Sequence, residues 1–130
     1  MAGMELGPGL RADIEVTVGR DDTAERVGSG DVPVLATPRL LALAEAATVR
    51  AVAGRLGEGR TSVGTRVELN HRAASPVGAR VTVTAELTAV DGRRLSFAVS
   101  ATDDRGTVVG DGIVERVVVD RARFLDGVAR

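Results

Sequence analysis

The chain has 130 residues, 44% of them apolar, with two Phe, no Trp or Tyr, and a net charge of −1; that is one domain, 1–130, large enough for an aliphatic core of its own. Interspersed charge and scarce aromatics exclude the basic footprint and stacking platforms of a nucleic-acid binder. With no apolar run of about 20 residues and no basic-then-apolar leader, no membrane span and a cytoplasmic setting are expected.

Chemistry is bounded further by what is missing. There is no Cys, a single His, and every one of the 17 basic residues is Arg. Thiol nucleophiles, disulfides and Schiff-base lysines are therefore excluded, and no metal site with nitrogen and sulfur ligands is expected. The pairs Asp21–Asp22 and Asp103–Asp104 could touch a hard cation, but turn chemistry accounts for them better.

Residues 1–9 are Gly-rich and are expected to be loosely attached. Residues 12–19, ADIEVTVG, alternate Ile14, Val16 and Val18 against polar neighbours and predict a strand. Residues 20–33 are polar and glycine-bearing, a long connection of the kind that forms either a lid or a plain linker. Residues 37–57 predict one long helix, with Thr37 as N-cap, Pro38 in the first turn, and Gly54 and Gly57 at the end. From Leu40 to Ala53 that helix is apolar nearly all round, broken by Glu45, Thr48 and Arg50, so it must be covered on most sides. Four further strands follow at 61–69, 80–90, 94–102 and 107–119, with Asp91-Gly92 as a two-residue hairpin turn and a polar tail that can be helical. The order gives an α+β fold: one long helix on an antiparallel sheet of about five strands. One sheet face does not cover such a helix, so a homodimer is expected, open to higher assembly.

Three polar residues stand out. Glu45 sits within LLALAEAATV, and a carboxylate left unpaired in such surroundings is expensive unless chemistry uses it. The alternative is a narrow exposed edge with Arg50 or Arg72 as partner. His71 continues the parity of Val63, Val67 and Leu69, which turns it toward the helix as either a satisfied core histidine or half of a site with Glu45. Thr37 lies eight residues before Glu45, about 12 Å along the helix axis, too far for direct contact. Gly64 marks a bulge or a close backbone approach.

Together LATPRLLALAEAATVRAVA, GTRVELNHRAASPVGARVTVTAEL and VDGRRLSFAVSATDD resemble the hotdog-fold acyl-CoA thioesterases typified by fluoroacetyl-CoA thioesterase. The resemblance runs from about Ala36 to Val119. It implies a hotdog dimer in which a sheet wraps one central helix. It also implies hydrolysis of an acyl-CoA or carrier-linked thioester, with no cofactor beyond the coenzyme A of the substrate. By the same resemblance Thr37, Glu45 and His71 match the catalytic threonine, glutamate and histidine, and Gly64 matches a glycine beside the acyl carbonyl. Arg72 and the Arg93–Arg94 pair are either phosphate contacts for CoA or ordinary solvated arginines. The family's phenylalanine lid has no counterpart in GSGDVPVLAT, which implies an acyl preference wider than, or different from, fluoroacetate. Two other outcomes fit the fold: a non-catalytic acyl-CoA-binding module, and an enoyl-CoA hydratase or dehydratase.

Overall fold

A computed structural model describes residues 5–129. In chain order it has β1 (Arg11–Thr17), α1 (Ala24–Val27), α2 (Thr37–Ala51), β2 (Arg60–His71), β3 (Arg80–Asp91), β4 (Arg94–Asp103), β5 (Val108–Asp120) and α3 (Arg121–Val128), with a 3-10 turn at Arg20–Asp22. The strands form one antiparallel sheet in the order β1-β3-β4-β5-β2, so β1 and β2 are its edges.

Period decides what is buried. On α2, Leu40, Leu43, Ala44, Ala47 and Ala51 recur at the three- and four-residue spacing of one helical face, and all are buried. They meet Val81, Val83, Ala85 and Leu87 of β3 and Leu95, Phe97 and Val99 of β4, which alternate inward as the period of two requires. The helix lies chiefly over β1 and β3. Its other side keeps Ala42, Ala46 and Val49 exposed, so the expected lack of cover is real for a single chain.

Several boundaries differ from expectation, each for a local reason. Helix α2 ends at Ala51 rather than near 57, because Val52 leaves helical geometry and Gly54 turns left-handed at φ 75°. The hairpin turn sits one residue later than Asp91-Gly92: Asp91 pairs with Arg94, and Gly92 at φ 59° takes the first central position. In β3 a register shift between Leu87 and Ala89 leaves Ala89 exposed instead of continuing the inward set. The connection 20–33 is ordered by its own bonds, the Ala24 amide to Val34 O (2.8 Å) and the Ala36 amide to Asp22 O (2.9 Å). Residues 1–4 lie outside the described residues; residues 5–9 are not loose, since Leu6 packs on the core and the Gly9 amide donates to Leu87 O at 2.9 Å. Turn chemistry does account for the aspartate pairs: Asp22 accepts from the Gly19 amide and Arg39, and Asp103 from the Arg105 and Thr107 amides.

Candidate active site

The turn after β2 brings the first two candidates together. From His71 the chain passes through RAASP, where Ser75 O accepts the Leu35 amide at 2.8 Å and Pro76 bridges to Val34. This stitches the turn to the residues just ahead of α2. Thr37 is not the N-cap; Ala36 holds that position and Thr37 is already helical. Its hydroxyl is therefore free to lie 2.7 Å from His71 Nδ1. His71 Nε2 is enclosed and has no partner among the described residues. If Thr37 donates to Nδ1, Nε2 carries the proton and can donate a hydrogen bond; in the other tautomer Nε2 offers a lone pair that can take a proton up. Burial of the ring pushes its pKa below the ordinary histidine value, which favours the neutral form in which either role is open.

The second cluster forms at the middle of α2. Glu45 is neither enclosed nor unpaired: its side chain is 37% exposed, and Oε2 lies 3.5 Å from Arg116 Nη1. The partner is thus Arg116 rather than Arg50 or Arg72. Arg116 is itself buried, with Nε donating to Ser62 Oγ (2.8 Å) and Nη2 to Ser62 O (3.0 Å). Burial pushes its guanidinium below the usual arginine value, and the Glu45 carboxylate acts the other way. Gly64 faces this pair because β2 shifts register between Gly64 and Arg66, which puts Gly64 on the same face as Val67. Parity had placed Val63 there; the bulge sends Val63 to the opposite face and Gly64 to the helix side. A Cβ at Gly64 would come within 2.7 Å of Glu45 Oε2.

Sequence reasoning missed Arg116, although the signal was present. Val114, Arg116 and Val118 share one face of β5, and both valines are buried; a charge on an apolar face is the same anomaly that marks Glu45.

Arg72 lies beside His71 with its guanidinium in a two-point pair on Asp111, Nε at 2.8 Å and Nη2 at 3.1 Å. Next to it, a cleft of about 350 Å³ is lined by Ala24, Val32, Val34, Ala73, Thr37 and His71 among others. Its walls are mostly small side chains and carry no Phe, Tyr or Trp. Within one chain the two clusters do not meet. Eight residues of α2 separate Thr37 from Glu45, and the bulged strand separates Gly64 from His71 by roughly 20 Å at 3.3 Å per residue. Among the described residues no group of three or more His, Asp or Glu side chains is arranged to hold a metal ion.

The model of the fluoroacetyl-CoA-specific thioesterase family matches residues 18–122. The fluoroacetyl-CoA thioesterase of Streptantibioticus cattleyicolor is 47% identical over 91 residues, which cover 70% of this chain and 65% of that protein, just under two-thirds of its length. A solved variant of a fluoroacetyl-CoA thioesterase in complex with acetyl-CoA is 36% identical with a TM-score of 0.88, covering 95% of this chain and 97% of that one. A thioesterase-superfamily member from Thermus thermophilus is 30% identical with a TM-score of 0.89, covering 95% and 91%. With the family model spanning most of its length and its five-stranded architecture shared with these structures, the chain belongs to the fluoroacetyl-CoA-specific thioesterase family, on the hotdog fold.

Proposed function

We propose that this chain hydrolyses acyl-CoA thioesters to free acid and thiol, as a cytoplasmic homodimer in which each active site is shared between subunits. The observation that carries the reading is the Thr37–His71 pair, 2.7 Å apart with Nε2 enclosed and unpartnered: a proton-handling group that lacks only its substrate. Glu45 supplies the second half, a carboxylate held by Arg116 and pressed against the open backbone at Gly64. Glu45 attacks the acyl carbon or deprotonates the water that does, and the proton that water releases ends on the departing thiolate by way of His71. Gly64, with no side chain, lets the Glu45 carboxylate lie close against the strand beside the acyl group. Arg72, among the residues that line the cleft, is the substrate contact beside His71, and no cofactor enters beyond the CoA of the substrate.

The dimer is supported by what a single chain leaves open. β2 is a twelve-residue edge strand, and long bare edges are normally paired or covered. Beside it, Val49 and Val67 are 48% and 41% exposed. Antiparallel pairing of β2 with its copy about a two-fold axis near the middle of the strand brings the Gly64 end of each chain toward the His71 end of the other. The two clusters that one chain keeps apart then meet twice over, once at each end of the axis.

The cleft of about 350 Å³ has the size of a small-molecule site, and its small aliphatic walls suit an acyl group bulkier than fluoroacetyl. A panel of acyl-CoAs with thiol release as readout tests the reading. Glu45→Ala and His71→Ala are each expected to lose about 10² to 10⁴ in kcat. Absence of turnover by the wild type overturns hydrolysis, and full activity in both variants overturns the roles of Glu45 and His71; tight acyl-CoA binding without turnover would make the protein a carrier or sensor.

A further inference from the structure

We infer that Asp22 and Arg39 are positioning residues: their ion pair fastens the first turn of α2 to the connection ahead of it and so holds the Thr37 hydroxyl against His71. The inference rests on the reading of Thr37 and His71 as the proton-handling pair and adds what keeps that pair aligned.

The start of α2 lacks the usual means of fixing itself. No side chain caps it, no carboxylate lies in its first turn, and Arg39 stands there instead. A cation in that position faces the positive end of the helix dipole. Asp22 supplies what is missing from outside the helix. Its carbonyl oxygen accepts the Ala36 amide at 2.9 Å, while Oδ1 accepts Arg39 Nε at 2.7 Å and Oδ2 the Gly19 amide at 2.8 Å. The bonds of Leu35 and Ala36 fix where α2 begins; the Arg39 contact adds a hold inside the first turn itself, two residues from Thr37. Two residues turn a helix through about 200°, so Thr37 and Arg39 face different sides. The turn is gripped by His71 at 2.7 Å on one side and by Asp22 on the other.

The anchor is itself anchored. Thr23, next to Asp22, is fully buried, and its hydroxyl donates to Arg20 O at 2.7 Å. The Arg39 and Asp22 side chains are 39% and 22% exposed, against 59% and 61% for Arg80 and Glu15, an ordinary surface pair. Burial acts to raise the Asp22 pKa, yet the Gly19 amide and the Arg39 guanidinium bring it below the usual carboxylate value. The carboxylate thus stays ionised through neutral pH, and its bond to Arg39 is charge-assisted. A partly exposed ion pair adds little to stability, whereas a reacting group displaced by about 1 Å loses far more in rate. The weight of this pair therefore falls on geometry.

A single histidine in the chain makes the test direct. Nitrogen NMR of its ring at about pH 8, where burial keeps it neutral, reports whether Nδ1 is hydrogen-bonded and which nitrogen carries the proton. Thr37→Val removes the hydroxyl and is expected to move the Nδ1 signal. Arg39→Met and Asp22→Asn, which keep the shape of each side chain, are expected to move it in the same direction by a smaller amount. In acyl-CoA hydrolysis these two are expected to lose about tenfold in kcat with KM within about twofold, and Arg39→Lys, which keeps the charge, to retain most of the rate. Glu15→Gln, which breaks the surface pair with Arg80, is expected to leave both readouts at wild type. A ring signal that moves in Thr37→Val but stays put in Arg39→Met and Asp22→Asn overturns the inference, as does an equal response to Glu15→Gln. Ring signals that respond as expected in a protein that hydrolyses no acyl-CoA would sink the thioesterase reading and leave the alignment role of Asp22 and Arg39 standing.

Discussion

At Gly64 the backbone of β2 lies against the Glu45 carboxylate, and the conflict an added methyl would create is with the tip of Glu45 rather than with the fold. A Cβ 2.7 Å from Glu45 Oε2 forces the carboxylate to swing, which a flexible side chain does cheaply. Gly64→Ala is therefore expected to change stability by no more than about 0.5 kcal/mol, yet to lower kcat/KM about a hundredfold by displacing the reacting oxygen. Thermal melts and steady-state kinetics on the same preparation separate the two, and a large loss of stability would refute the account. In the proposed reaction His71 is expected to set the acid side of the pH profile. Burial lowers its pKa in the fold from an ordinary value of about 6.5, so the neutral ring persists below that pH. The unfolded chain binds the proton more readily, so this group's contribution to stability is present above about pH 6.5 and lost as pH falls through the folded value. The acid limb of kcat/KM is expected below pH 6.5; a limb centred above it would mean that a nearby charge, not burial, governs the ring. Glu45 and His71 were legible because each breaks an apolar pattern. Arg116 breaks one too, but its meaning depends on a partner 71 residues away in the chain, and a linear pattern does not display such pairings.

At the scale of elements, periodicity located all five strands and the long helix, while the irregularities that aim the site stayed hidden. The bulge after Gly64 is the clearest case: simple parity put Val63 on the helix side, and one extra residue exchanges it for Gly64. Thr37 shows the same limit, since its type and position predict a cap, and only the stitching of 34–36 to 75–76 reveals that its hydroxyl serves His71. The glycines of β5 are informative in the other direction. A Cβ at Gly112 would overlap the Glu68 carbonyl oxygen, which is backbone and cannot swing aside, whereas Gly127 in α3 has nothing within 4 Å. Gly112→Ala is expected to destabilise by about 2 kcal/mol or more as β2 and β5 are pushed apart. Gly127→Ala, with open space around it in a helix, is expected to stabilise by up to about 1 kcal/mol. Chemical denaturation of the two variants checks the contrast; similar effects at both positions would show that the close approach of β2 to β5 does not constrain the sheet.

The whole molecule makes sense of a separation that no single element explains. Thr37 and His71 stand at one end of the helix–strand pair, Glu45, Gly64 and Arg116 at its middle, and the exposed valines and bare edge of β2 lie alongside. An apolar helix with Glu45 in it announced in the sequence that something more had to cover it, but not that the cover would also complete the site. The proposed pairing of two edges about a two-fold axis would do both, and it has a consequence that a site confined to one chain does not share. In a dimer of one His71→Ala chain and one Glu45→Ala chain, one site carries both lesions and the other carries neither. Each variant alone is expected to be inactive. Mixed after unfolding and refolding together, the two are expected to recover about a quarter of wild-type activity, since half of the randomly assorted dimers are mixed and each has one intact site. Sites built within single chains would stay dead in every combination, because each chain would then carry its own lesion into its own site. Recovery in the mixture, scored against each variant refolded alone, therefore reports which residues meet across the axis.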